Sequence, residues 1–251
     1  MCIIAYVRKG VKLENDYLTR FHHRNPHGAG IAIWNDKKKM WEVTKGLMTL
    51  DEIEDFMTSK KLVDTKDHPT FVIHFRYATA GSIIPELTHP FKITLQNDEE
   101  CIFFHNGVFR IDTGESYYYG SYIKSYNYYQ KFKSDESDTS LFCKKISQIK
   151  PTTEQLKIML QDWLLDDIIS SSRLAVCFHG EEDPLLVGSW HEKNGLLLSN
   201  LYSAEPISYY EKLYSSGGSC DTGLLDYYLD EDEDIGKNND KKKKVNKKVK
   251  K

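Results

Sequence analysis

The sequence predicts an α+β protein in which two packed, mainly antiparallel sheets are flanked by helices. Three observations predict it. Short apolar runs separated by turn signals crowd the first hundred residues, two helical patterns sit together in the middle, and three further apolar runs follow them. Strict strand–helix alternation would indicate a doubly wound parallel sheet, and this order does not have it.

The runs CIIAYV, GAGIAIW, MWEVTKG, FVIHFRYAT and CIFFHNGVF read as strands of a largely buried sheet. Between the third and fourth, TLDEIEDFMTSKKL predicts a helix. Thr49 and Glu52 have capping-box spacing, and Ile53, Phe56 and Met57 fall on one face. After Phe109 comes a tyrosine-rich stretch, with seven tyrosines from Tyr117 to Tyr129 and no clean period; it reads as core packing before it reads as a binding surface. SDTSLFCKKISQI predicts a short capped helix. PTTEQLKIMLQDWLLDDII predicts a longer one with a stripe of Leu156, Met159, Leu160, Trp163, Leu164 and Ile168. RLAVCFHG, PLLVGSWHE and GLLLSN then read as strands.

The chain has 251 residues, 40% of them hydrophobic, enough for one large core. It contains no apolar run of membrane-spanning length, and the first residues hold only the short apolar run CIIAYV after Met1 and before Arg8 and Lys9. Five widely spaced cysteines without a CxxC pair argue against a disulfide framework and against a zinc site. A reducing cytoplasm is the expected location, with no membrane partner, metal or cofactor. The net charge of −3 hides an asymmetry. Residues 237–251 hold nine lysines and one aspartate, so that tail is +8 and the remainder −11. An acidic body offers no basic face to nucleic acid. The tail could engage phosphates, but a solvated end is the preferred reading.

Four groups of residues could carry chemistry. Cys2 is either the first residue of a buried strand or, once Met1 is removed, an N-terminal nucleophile whose own α-amine (reference pKa about 7.7–8.0) accepts the thiol proton. In HFRYATAGS, Arg76 ends a strand among small polar residues. It forms a structural ion pair, or it binds a carboxylate bidentately with Thr79 and Gly81 in support. In HNGVF, Asn106 and Gly107 turn a hairpin or supply two N–H donors to an oxyanion. Asp138 in SDTS caps a helix, or it binds the ammonium of a ligand whose carboxylate Arg76 holds. In NPHGAGIAIW the glycines open a strand, which argues against a dinucleotide loop. His23 and His27 have i, i+4 spacing, but Pro26 and Gly28 deny them a shared helix and hence a metal.

With Cys2, HRNPHGAG, HFRYATAG, HPF, HNG and SDT in that order over residues 2–200, the chain resembles the class II glutamine amidotransferase (glutaminase) domain of the N-terminal nucleophile hydrolases. The resemblance implies a four-layer αββα sandwich and hydrolysis of the glutamine side-chain amide through a γ-glutamyl thioester. It implies Cys2 as nucleophile, Asn106 and Gly107 as the oxyanion hole, Arg76 with Thr79 on the substrate α-carboxylate, Asp138 on its α-ammonium, and His89 as a pocket histidine. Ile3, His27, Ala80 and Ser140 depart from the family pattern, where glycine, an acid, histidine and glutamate are frequent. Residues 201–229 are expected to extend the domain, and 230–251 to form a disordered acidic-then-lysine-rich tail. With no synthase domain evident, a separate ammonia-accepting synthetase is the expected partner, and L-glutamine the substrate. The alternatives are the same machinery acting on another amide, or a non-catalytic binding module tethered by its basic tail.

Overall fold

The computed structural model describes residues 2–109, 135–165 and 172–207. In chain order the elements are β1 (Ile3–Val7), α1 (Asn15–Arg24), β2 (Ala29–Asn35), β3 (Met40–Leu47), α2 (Leu50–Ser59), β4 (Phe71–Phe75), β5 (Phe91–Thr94) and β6 (Glu100–Asn106). They continue with α3 (Asp138–Ile149), α4 (Thr153–Leu165), β7 (Arg173–Phe178), β8 (Leu185–Val187), β9 (His191–Lys193) and β10 (Leu196–Leu198). Six strands form one sheet in the order β3-β2-β4-β1-β10-β9, and four form a second in the order β5-β6-β7-β8. All the pairings are antiparallel.

Strand side chains alternate between faces, and this alternation sorts the core into three apolar layers. In β1, Ile3, Ala5 and Val7 point to one layer, where they meet Tyr17, Leu18 and Phe21 of α1 and Ile53 and Met57 of α2. Ile4 and Tyr6 point the other way, into a layer shared with Ile102 and Phe104 of β6 and Ala175 and Cys177 of β7. The intervening residues Cys101, Phe103, Leu174, Val176 and Phe178 form the third layer with Phe142 and Ile146 of α3 and Leu156 and Leu160 of α4. The order is therefore helices, sheet, sheet, helices, an α+β sandwich of four layers. Each large aliphatic or aromatic side chain buried this way contributes roughly 1.5–3 kcal/mol.

Helix α2 starts with the expected reciprocal capping box between Thr49 and Glu52. Helix α1 and strand β5 are additions to the sequence reading. Only Tyr17, Leu18 and Phe21 of α1 are buried, and Glu14 at its N-cap makes no side-chain cap bond, so both usual helix signals are weak. PLLVGSWHE is two strands, β8 and β9, broken at Gly188. The tyrosine-rich stretch, the lysine tail, Cys220, Ile168 and the side chains of Trp163 and Leu164 lie outside the described residues. Among the described residues, no helix is long and apolar enough to cross a membrane.

Candidate active site

The register of three strands brings Cys2, Arg76 and Asn106 to one end of the layer between the sheets. Ile3 pairs with Phe75, which places Cys2 beside Arg76 just past the paired ends of β1 and β4. Cys2, Ile4 and Tyr6 share a parity, as do Val72, His74 and Arg76, so both chemistry-bearing residues belong to the inward-facing set. On the opposing sheet, Asn106 shares its parity with Ile102 and Phe104 and ends β6 opposite Arg173.

Cys2 is partly exposed, and its Sγ receives the Tyr77 backbone N–H at 3.3 Å. Its carbonyl accepts from Asn200 Nδ2 at 2.7 Å, while Asn200 Oδ1 is fixed by the Ser203 N–H at 2.9 Å. Burial pushes the thiol pKa up, the Tyr77 N–H and the Arg76 charge pull against it, and Asp138 adds to the rise. The resting sulfur is therefore mostly a thiol at neutral pH, and nucleophilic attack requires a proton acceptor.

Arg76 is 3% exposed and Asp138 7%. Arg76 donates Nη1–H to Ser82 O at 2.7 Å and Nη2–H to Ala80 O at 2.8 Å, which uses two of its five donors. Among the described residues it makes no ion pair. Burial lowers its pKa, and Cys2 and Asp138 oppose that fall.

Asp138 is not the cap of α3, contrary to its ordinary reading. Ser137 is the N-cap and Ser140 its reciprocal partner, leaving the Asp138 carboxylate to accept the Phe109 N–H at 2.8 Å on Oδ2. Burial raises its pKa while the Phe109 and Thr139 N–H groups lower it. The loop after Arg76 lies against the approach to this helix. A Cβ on Gly81, at φ +72°, would stand 2.3 Å from Glu136 O, so only glycine fits. Thr79 is exposed on the same loop.

The Asn106–Gly107 pair does not turn a two-residue hairpin. β6 pairs with β7, more than sixty residues onward, and Gly107 at φ +150° leads the chain away toward Phe109. A Cβ there would lie 2.5 Å from Ser172 Oγ and 2.9 Å from His105 Nε2. Asn106 is 4% exposed and donates Nδ2–H to Ser199 Oγ at 2.9 Å; the same oxygen receives the Ile4 N–H at 2.8 Å. Ser199 thus ties the Asn106 amide to β1 two residues beyond Cys2.

Three buried histidines lie next to this end. His74 Nε2 meets His105 O at 3.2 Å across the sheets, and His105 contacts Thr139 Oγ1 and Ser172 Oγ, each at 2.9 Å. The His89 ring packs 4.0 Å from that of His74, and neither of its nitrogens has a partner among the described residues. Burial drives the pKa values of His74 and His105 down to about 3 and that of His89 well below its usual value. All three rings are neutral. Among the described residues, no group of three or more His, Cys, Asp or Glu could hold a metal ion.

The structure thus gathers Cys2, Arg76, Asp138 and, through Ser199, Asn106. His89 is buried against His74 and Phe91 and makes no hydrogen bond to the residues around Cys2. Tyr77, Ser199 and Asn200 escaped the sequence reading. The Ser-Asn that ends GLLLSN is the one signal that could have drawn attention to the last two. No family model and no curated protein matches the chain. Among solved structures it is similar to the glutamine phosphoribosylpyrophosphate (PRPP) amidotransferase of B. subtilis complexed with ADP and GMP, at 16% identity and a TM-score of 0.42. The match covers 81% of this chain and 42% of that one, so the chain spans less than half the length of that protein.

Proposed function

We propose that the protein is an amidohydrolase of the glutamine amidotransferase type, with Cys2 as nucleophile and L-glutamine as substrate. One observation carries the reading. Two buried, opposite charges, Arg76 and Asp138, act on Cys2 and on each other electrostatically but form no ion pair among the described residues. A buried charge without a counter-ion is costly, and a ligand bearing both a carboxylate and an ammonium answers both charges at once. An α-amino acid held that way presents its side-chain amide to the sulfur.

The chemistry then runs through a thioester. Removal of Met1 frees the Cys2 amine, which takes the thiol proton as Sγ bonds to the amide carbon. The second Nδ2 hydrogen of Asn106 and the Gly107 N–H stabilise the oxyanion. As the C–N bond breaks, the ammonium proton passes to the leaving nitrogen and ammonia departs. Water then adds to the γ-glutamyl thioester, aided by the same amine, and glutamate leaves with the thiol restored.

The test pairs intact mass with product analysis on untagged protein. Loss of Met1 and equimolar release of glutamate and ammonia from L-glutamine are expected, both abolished by Cys2→Ala. Full turnover with Met1 retained, or no hydrolysis of glutamine by protein lacking Met1, overturns the proposal.

A further inference from the structure

We propose that His27 is a positioning residue for Cys2, gripping the backbone that cradles the sulfur through a hydrogen bond that only its neutral ring accepts. The inference rests on the nucleophilic role of Cys2 proposed above. His27 lies between α1 and β2, half-buried, with its ring 5.1 Å from that of Tyr77 and inclined by 32°. It holds the chain on both sides of Tyr77. Its backbone N–H donates to Arg76 O at 3.0 Å, and its Nδ1 receives the Ala78 N–H at 2.8 Å. The peptide unit between those grips is the one whose N–H, from Tyr77, reaches Cys2 Sγ. Arg76 O and Tyr77 N–H belong to one amide, so a donor on its oxygen strengthens the donor aimed at sulfur.

The tautomer follows from the geometry. A backbone N–H can only donate, so Nδ1 carries the lone pair and the ring proton sits on Nε2. An imidazolium would set Nδ1–H against the Ala78 N–H, and the grip would open. The groups facing His27 are Arg76 at the end of β4, the Tyr77 ring, and Cys2 beyond the Tyr77 peptide. Arg76 is the charge acting on the ring, and it reinforces burial in keeping the ring neutral. With its pKa below the usual 6.5, the grip is complete above that pH and is lost as pH falls through the lowered value. A side chain at this position therefore sets how well the thiolate is stabilised, and over what range of pH.

The experiment reads the sulfur directly, without substrate. Carbamidomethylation of Cys2 by iodoacetamide is followed on the Cys2 peptide by mass spectrometry from pH 5 to 9. His27→Asn places Oδ1 where Nδ1 was, keeping the acceptor and removing the titration. It is expected to match wild type at pH 7.5 and, below pH 6.5, to follow only the roughly tenfold-per-unit fall of the thiolate fraction, without the additional decline of wild type. His27→Ala keeps the backbone bond to Arg76 O but loses the side-chain grip on the Ala78 N–H at every pH, and a rise of about one unit in the thiol pKa makes it about tenfold slower at pH 7.5. Equal rates for His27→Ala and wild type, or an asparagine variant as slow as the alanine one, overturn the inference. Ammonia release is measured on the same samples. Wild type that alkylates as expected yet leaves glutamine intact removes the amidase reading and leaves this one standing.

Discussion

Lowering the pH from 7 to 5 is expected to cost the fold about 4 kcal/mol through His74 and His105, two of the histidines buried near Cys2. His74 and His105 stay neutral down to about pH 3 in the folded state, whereas in the unfolded chain each titrates near 6.5. A depressed pKa contributes stability that is complete above the unfolded value and lost as pH falls toward the folded one. Over this interval linkage gives about 2 kcal/mol per histidine. His89, His22 and His27 are lowered chiefly by burial and add to the loss in the same direction. A domain of ordinary stability has only about 5–15 kcal/mol to lose. The assay is urea unfolding followed by tryptophan fluorescence at pH 7, 6 and 5. The slope should reach at least about 2.7 kcal/mol per pH unit, the value for two protons taken up on unfolding. His89→Phe removes a further contribution of the same sign without breaking a hydrogen bond among the described residues, and it should reduce the slope. Stability that is flat between pH 7 and 5, or a slope untouched by His89→Phe, refutes the reasoning.

Four further outcomes are expected. Asn106→Ala should lower kcat for glutamine hydrolysis by about 10²–10³ with little change in KM, as measured by steady-state ammonia release. Arg76→Lys should raise KM more than it lowers kcat, since an ammonium cannot reproduce the planar fork that grips a carboxylate while bonding Ala80 O and Ser82 O. Ser137→Ala should cost about 1 kcal/mol in thermal unfolding by removing the cap of α3. Asp138→Asn, which keeps an acceptor for the Phe109 N–H, should leave the melting temperature nearly unchanged while raising KM.

The sheets were legible because burial on both faces leaves continuous apolar runs such as IIAYV and ECIFFHN. Which layer each residue enters follows only from the pairing, which sets Ile4 opposite His74 and so Cys2 and Arg76 on the same side. What stayed hidden depends on contacts distant in sequence. Asn-Gly is a hairpin signal locally, and only the pairing of β6 with β7 removes that reading. Ser137 and Asp138 are both good caps, and the choice between them is made by the Phe109 N–H, which claims the aspartate. Helix α1 is mostly polar, and its short apolar stripe gains meaning only once Phe21 meets Phe75 at 5.5 Å. The Ala78-to-His27 bond joins two connecting segments that no periodicity describes.

The reciprocal serine cap of α3 separates architecture from chemistry at the residue where the two would ordinarily be merged. A helix begun by Asp138 itself would tie that acid to the start of α3, so that a change there would also remove the cap. With Ser137 and Ser140 starting the helix, a change at 138 that still accepts the Phe109 N–H leaves the beginning of α3 untouched.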